Sequence, residues 1–274
     1  MTVATPPRPG LELGVAHFSS IALPPKEFAV MAARAGFASI GLRLHPAFPG
    51  APFYELPVGS HSAQEFQTVA DGEGIRVFDI EFFVIDESFV AASHEATVAA
   101  AANIGARRLS VCGDDRDGGR LATNLSEFCA LAARYGMSID VENMGWRTVR
   151  TFRDSVAVVN SCGAENAGVL VDGIHFFRNG ASLDELRASA GKVKHVQLCD
   201  VRGPAPKTSD EMIAEARSGR LAPGEGELPL KDLRAATDYG TAISVEVPLV
   251  GSVDPEAHLK HLHDSALGIL KPDQ

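Results

Sequence analysis

The sequence predicts a single-domain α/β fold, a (β/α)8 TIM barrel, on three observations. Eight short apolar runs alternate with eight helical runs, no linker of domain scale interrupts them, and the 274 residues match the roughly 250 that such a barrel takes as one unit. A doubly wound open sheet is the competing arrangement, but no strand is followed by a G-x-G-x-x-G turn.

The opening MTVATPPRPG has no apolar stretch of signal-peptide type, so residues 1–9 are read as a disordered tail and 10–271 as the barrel. Residues 11–19 (LELGVAHFS) read as the first strand. Pro24 and Pro25 open a helix to residue 34 that Gly36 closes. A second strand, 38–44, leads into a Pro/Gly-rich loop over 45–60, longer than most connections and therefore a candidate functional loop. A helix over 62–71, the strand 75–83, an Ala-rich helix over 89–104 and the strand 108–112 follow. Leu121, Leu125, Phe128, Ala132 and Tyr135 recur at helical spacing before Gly136. The second half repeats the rhythm: strand 137–143, helix 152–162, strand 168–172, short helix 183–188 and strand 193–200. A polar segment, 201–226, then precedes a helix over 230–239, the strand 242–247 and a closing helix over 255–270.

Composition narrows the function. With 45% hydrophobic residues the chain can build a large core, and its formal charge of −10 offers no basic footprint for nucleic acid. No apolar run is long enough to span a bilayer. The four cysteines, Cys112, Cys129, Cys162 and Cys199, lack CxxC spacing and read as buried thiols of a reducing cytoplasm. The expectation is a cytoplasmic enzyme with no nucleic-acid or membrane partner; a homo-oligomer is left open.

Side chains at the C-terminal ends of barrel strands line the active site. Those ends carry Glu81, Glu142, Asp172, His195 with Gln197, and Glu246. In VKHVQLCD (193–200), His195 and Gln197 are two residues apart and share one face of a strand that otherwise reads as core. Buried carboxylates need partners. Arginines such as Arg43 are one answer; a divalent cation held by oxygen-bearing side chains from four consecutive strands is the better one.

The motifs VEN (141–143), VDGIH (171–175), HVQLCD (195–200), PGEGELPL (223–230) and SVEVP (244–248) together resemble the xylose-isomerase-like sugar isomerase/epimerase superfamily. That group includes hydroxypyruvate isomerases, inosose dehydratases, 3-dehydroshikimate dehydratases and the endonuclease IV branch. The resemblance implies Glu142, Asp172, the inward residue of strand seven and Glu246 as ligands of one divalent metal. Many members carry histidine at the strand-seven position; here it is Gln197, and an all-oxygen set suits Mg2+ or Mn2+ better than Zn2+. His195 is then read as a substrate contact or a brace for a ligand, with a ligand role left open. Family members use the two glutamates, here Glu142 and Glu246, as acid/base groups around an enediolate stabilised by the metal. His175 is a candidate general acid, equally a histidine hydrogen-bonded in its loop. Arg220 matches where dehydratase relatives keep a substrate-binding arginine, on a 201–226 segment that could close as a lid; Arg202, Lys207 and Arg217 read as surface charge.

Arg43, His45 and Glu81 are weaker substrate candidates. Trp146 either covers an apolar substrate face or packs, and Asp114, Asp115 and Asp117 read as a solvated loop. The leading expectation is an isomerase or epimerase of a small sugar, keto-sugar or similar polyhydroxylated carbonyl substrate. A lyase dehydrating a cyclic polyhydroxy ketone, of 3-dehydroshikimate or inosose type, is the alternative. A nuclease lacks the extra histidines and the basic face it needs, and the ligand set argues against a silent sugar-binding relative.

Overall fold

Eight parallel strands pair in sequence order and close on themselves in a computed structural model that describes residues 12–271. They are β1 (Leu13–Val15), β2 (Ser39–Leu42), β3 (Arg76–Ile85), β4 (Arg108–Gly113), β5 (Ser138–Glu142), β6 (Ala167–Asp172), β7 (Val193–Leu198) and β8 (Ala242–Val245). β1 pairs with both β2 and β8, which closes the barrel and leaves no strand edge exposed. The tail expected over residues 1–9 lies outside the described residues.

The helices are α1 (Pro25–Ala35), α2 (His61–Glu73), α3 (Glu95–Asn103), α4 (Gly118–Arg134), α5 (Phe152–Cys162), α6 (Gly173–Arg178), α7 (Leu183–Ala188), α8 (Ser209–Ser218), α9 (Leu230–Ala235) and α10 (Pro255–Leu270). Local signals fix several ends. Pro25 starts α1, and Gly36 stops it at φ 107°. Thr151 and Asp154 close a reciprocal capping box at α5. Leu121, Leu125, Phe128 and Ala132 of α4 are all buried, as their spacing predicts.

Three departures from the expected elements have physical causes. The first strand stops at Val15, and a 3-10 turn, His17–Ser20, carries the chain over the barrel mouth. α6 begins directly at the end of β6, capped by the Asp172 side chain, and its six residues are too few to show a period. α8 lies inside the segment read as polar loop. Only Ala216 of it is buried, so it carries almost no apolar stripe; its Thr208–Glu211 capping box was the legible signal.

The barrel interior is polar in its lower half. Asp79 on β3 accepts a hydrogen bond from Ser110 Oγ on β4 at 2.7 Å, and His195 Nε2 on β7 pairs with Ser244 Oγ on β8 at 2.8 Å. The remaining His195 nitrogen, Nδ1, has no partner and lies 4.0 Å from Asp79. Burial lowers His195 to a pKa of about 3, so it stays neutral and offers Asp79 no cation. Burial raises Asp79 to about 7. The register of β2 against β3 shifts at Gly41. A Cβ there would meet both Glu81 Oε1 and, at 2.7 Å, Asp79 Oδ1.

Two outcomes follow from this interior. Gly41→Ala should cost about 1–3 kcal/mol, read as a lower urea midpoint, because both carboxylates must give way in a packed barrel. Asp79 ionises near 3.8 when unfolded and near 7 when folded, so the folded state binds the extra proton between those values. Its contribution to stability therefore falls as pH rises from 4 to 7. Asp79→Asn should be more stable than the parent at pH 8, by on the order of 2–4 kcal/mol, with the gain vanishing at pH 4. A thermal-melt series across pH checks both ends.

Candidate active site

Five strands deliver buried polar side chains to the C-terminal end of the barrel. Glu142 and Asp172 are the last residues of β5 and β6, Gln197 faces Asp172 in register on β7, and Glu81 projects from β3. Glu246 follows β8 directly, its N–H bonded to Leu198 O at 3.1 Å. All five side chains are buried. Strand alternation explains the selection: the residues between them, Val141, Val171, Val196 and Val245, point outward into the helical layer.

Arg220 is the cation that ties this end together. It lies between α8 and α9 and is buried. Nη1 donates to Asp172 Oδ2 at 2.5 Å and to Glu246 O at 3.1 Å, while Nη2 lies 3.0 Å from Glu246 Oε2. Its Nε is spent on Ala216 O. Asp200 holds the supporting segment: its carboxylate accepts N–H bonds from Val201, Gly224 and Leu228, and its backbone pairs with Leu221. A Cβ at Gly226 would strike that carboxylate and Val201 O, which accounts for the second glycine of PGEG. The 201–226 segment expected as a lid is thus anchored, and Arg217 from it stacks over Phe48 with its guanidinium 4.3 Å from the ring.

The charge balance at this end is lopsided. Four buried carboxylates, Glu81, Glu142, Asp172 and Glu246, share two guanidiniums, Arg43 and Arg220. Burial works against the Asp172 charge, yet Arg220, His175 and the His175 N–H outweigh it and hold the carboxyl below the usual range. Nothing comparable serves Glu142: burial and then the neighbouring Asp172 and Glu246 charges push it well up. Burial also lifts Glu246 to about 7 despite Arg220, and Glu81 to about 7 with Asp79 adding to it.

A divalent cation would fit this arrangement. Glu142 Oε1 is buried with no hydrogen-bond partner, and one ligand atom each from Glu142, Asp172 and His175 lie within 4.8 Å of one another. The Gln197 amide, in register beside Asp172, makes no side-chain hydrogen bond among the described residues. His175 stands on α6 with Nε2 3.9 Å from Glu142 Oε1, too far for a hydrogen bond. Burial lowers it to about 4, so it is a neutral donor or ligand. Trp146 packs edge-on against it, ring centroids 5.1 Å apart.

The remaining candidates divide. Arg43 lies 3.7 Å from Glu81 and over the Phe18 ring, so the alternative of carboxylate–arginine pairing holds for Glu81 while Arg220 plays that part for Asp172 and Glu246. His45 is spent on Phe82 O and stacks on Phe83. His195, expected to contact substrate or metal, sits one step below Gln197 in the lower polar layer, because two residues amount to about 6–7 Å along a strand. Asp114 and Asp115 pair with Arg147 and Arg120, and Asp117 caps α4. Sequence reasoning missed His17, Asn143 and Cys199. The His17 and Phe18 N–H groups donate to Glu81, Asn143 Nδ2 holds the His175 carbonyl at 3.1 Å, and Cys199 lies 3.2 Å from Arg220 Nη1. Asn143, directly after Glu142 in VEN, was the one with a readable signal.

A cavity of about 1480 Å3 opens at the opposite, N-terminal end, lined by Gly14, Ser39, Gly41, Asp79, Thr241 and Ser244 among others. A pocket of about 10 Å3 lies beside His175 against Trp146. Size alone does not make the larger cavity the reaction site: the convergent carboxylates, the buried guanidinium and the neutral histidine are all at the other end.

The fold agrees with that of known proteins. Over 129 residues the chain is 32% identical to an inosose isomerase of Bacillus licheniformis, a match spanning 46% of this chain and 44% of that protein. The chain thus matches about half the length of such relatives. Among solved structures, the IolI protein with a bound zinc atom superposes with a TM-score of 0.79 at 17% identity, covering 95% of this chain and 98% of that one. The probable 3-DHS dehydratase AsbF of Bacillus anthracis gives 0.75 at 11% identity, covering 94% and 99%. At those identities the likeness is one of fold. The family model described as xylose isomerase-like TIM barrel matches residues 30–266, and the chain belongs to that family.

Proposed function

We propose that this protein is a divalent-metal-dependent isomerase or epimerase of a small sugar or keto-sugar. The observation that carries the reading is the uncompensated negative charge at the barrel mouth: two guanidiniums among four buried carboxylates, with one Glu142 oxygen unpartnered. The inosose isomerase name of the sequence relatives supports the substrate class. Glu142, Asp172, Gln197 and Glu246 would hold the ion. When bound there, it polarises a substrate carbonyl and its neighbouring hydroxyl and so acidifies the adjacent C–H.

The protein's own groups supply the proton traffic and the positioning. Burial holds Glu142 and Glu246 toward their protonated forms, with Asp172 and Glu246 adding to it at Glu142 and Glu81 and Asp172 adding to it at Glu246. One of the two, as carboxylate, would take the proton from the carbon; its return to the neighbouring carbon gives isomerisation, and delivery of a proton to the opposite face by the other glutamate gives epimerisation. Arg220 fixes the Asp172 and Glu246 side chains, and Arg43 with Glu81 presents a hydrogen-bonding pair to substrate hydroxyls. An oxygen-only set of carboxylates and an amide favours Mg2+ or Mn2+; taking His175 in place of Gln197 moves the preference toward Zn2+. A second reading, dehydration, draws on His175 beside Glu142. The Glu142 carboxyl, held toward its protonated form, would give the departing hydroxyl its proton, and the neutral His175 would orient that hydroxyl by a hydrogen bond.

Elemental analysis of protein purified without added metal should find about one divalent ion per chain. A panel of ketoses incubated in deuterium oxide should take up deuterium at the carbon next to the carbonyl, while ultraviolet absorbance of an unsaturated product would instead select the lyase reading. Glu246→Gln retaining both full exchange and full metal content would end the acid/base and ligand assignments together.

Arg220 supplies a separate test. In metal-free protein Arg220→Gln leaves Asp172 and Glu246 buried without their cation and should cost about 3–5 kcal/mol. A saturating divalent ion should restore part of that loss by neutralising the same carboxylates. An equal loss with and without the ion would assign the arginine to packing alone.

A further inference from the structure

Two of the four cysteines meet on the outer layer, away from the barrel mouth. Cys129 lies on the buried face of α4, and Cys162 is the last residue of α5, half-buried against the same core. The two helices pack side by side. Asn166, four residues beyond Cys162, ties the segments together independently: its Nδ2 donates to Cys129 O at 2.9 Å and to Met137 O at 3.0 Å. The two thiols lie near enough to shift each other's ionisation in opposite directions, and the Cys162 S–H donates to Val159 O at 3.2 Å.

We propose that Cys129 and Cys162 form an oxidation site, a thiol pair that closes into a disulfide between α4 and α5 when it meets hydrogen peroxide. The roles of the two thiols differ. Cys162 is the accessible one, half-buried where Cys129 is fully buried, and the neighbouring Cys129, the Ala164 N–H and the charge of Lys192 lower its pKa to about 6 against the opposing effect of burial. Cys129 is pushed the other way by its Cys162 neighbour and by burial. Cys162 is therefore the attacking thiolate and Cys129 the resolving thiol.

The Cys162 sulfur attacks one peroxide oxygen, the O–O bond breaks, and the departing oxygen leaves as water after taking a proton, giving a sulfenic acid. The Cys129 sulfur then attacks the Cys162 sulfur. The S–O bond breaks, and the hydroxyl leaves as a second water with the Cys129 proton. Two thiols and one peroxide become one disulfide and two waters. Cys112 and Cys199 are buried, and burial raises both, to about 12 for Cys112, so they serve as unreactive internal controls.

The test treats the full chain with equimolar hydrogen peroxide, alkylates the remaining thiols after denaturation, and maps the peptides by mass. The expected product is a linked Cys129–Cys162 peptide pair, lighter by two hydrogens than the reduced pair, with Cys112 and Cys199 alkylated. The oxidised protein should melt at a higher temperature, and dithiothreitol should reverse the shift. In Cys129→Ala, dimedone should trap a sulfenic acid at Cys162, whereas Cys162→Ser should leave Cys129 unoxidised. Recovery of both thiols unchanged from the parent protein, or oxidation first at Cys112 or Cys199, overturns the proposal without reference to either variant.

Discussion

The arrangement at the barrel mouth follows from one constraint: more carboxylates are buried there than the protein's own cations can balance. Glu81, Glu142, Asp172 and Glu246 come from strands whose alternation forces them inward, and removing each from water carries a cost of several kcal/mol unless a counter-charge is near. Arg43 and Arg220 meet half of that demand. The rest shows as carboxyl groups held toward their neutral forms and as a Glu142 oxygen with no partner. The proposed divalent cation would offset that excess of buried carboxylates.

The surrounding loops are shaped to hold that imbalance in place. Arg220 reaches the barrel end only because Asp200 gathers three backbone N–H groups and folds the chain after β7 back on itself. Gly226 is confined to glycine by the same carboxylate. On the other side, the 3-10 turn after β1 brings two backbone N–H groups onto Glu81, while Asn143 fixes the backbone beneath His175. Positioning is thus mostly a matter of main-chain donors and one buried arginine, a rigid scaffold for the buried carboxylates.

Below the mouth the barrel is unusual in a different way. Asp79, Ser110, His195 and Ser244 make a polar layer that opens toward the large N-terminal cavity. Barrel interiors are ordinarily filled by branched apolar side chains. Here Gly41 leaves room for the Asp79 and Glu81 carboxylates and Gly14 for Ser39 and Ser244, and the layer is tuned by burial, with His195 neutral and Asp79 pushed up to about 7. This is the part of the molecule whose stability should respond to pH independently of the reaction site.

The eightfold alternation, the helix ends at Pro25 and Gly36, and the carboxylates at the strand ends were readable from the sequence, because each depends on local periodicity or on a residue's own backbone preference. The likeness to the family was readable for the same reason: its motifs sit at the ends of strands. What tertiary structure alone decided is where the charges go. That Arg220 grips Asp172 and Glu246 depends on contacts 48 and 26 residues apart, which no spacing rule reports. His195 and Gln197 share a face, as a period of two requires, but only the height of β7 against its neighbours put the histidine in the lower layer and the glutamine beside Asp172. Sequence determines the face a side chain takes; closing the barrel sets the level at which it arrives, because strand register is a relation between segments far apart in the chain.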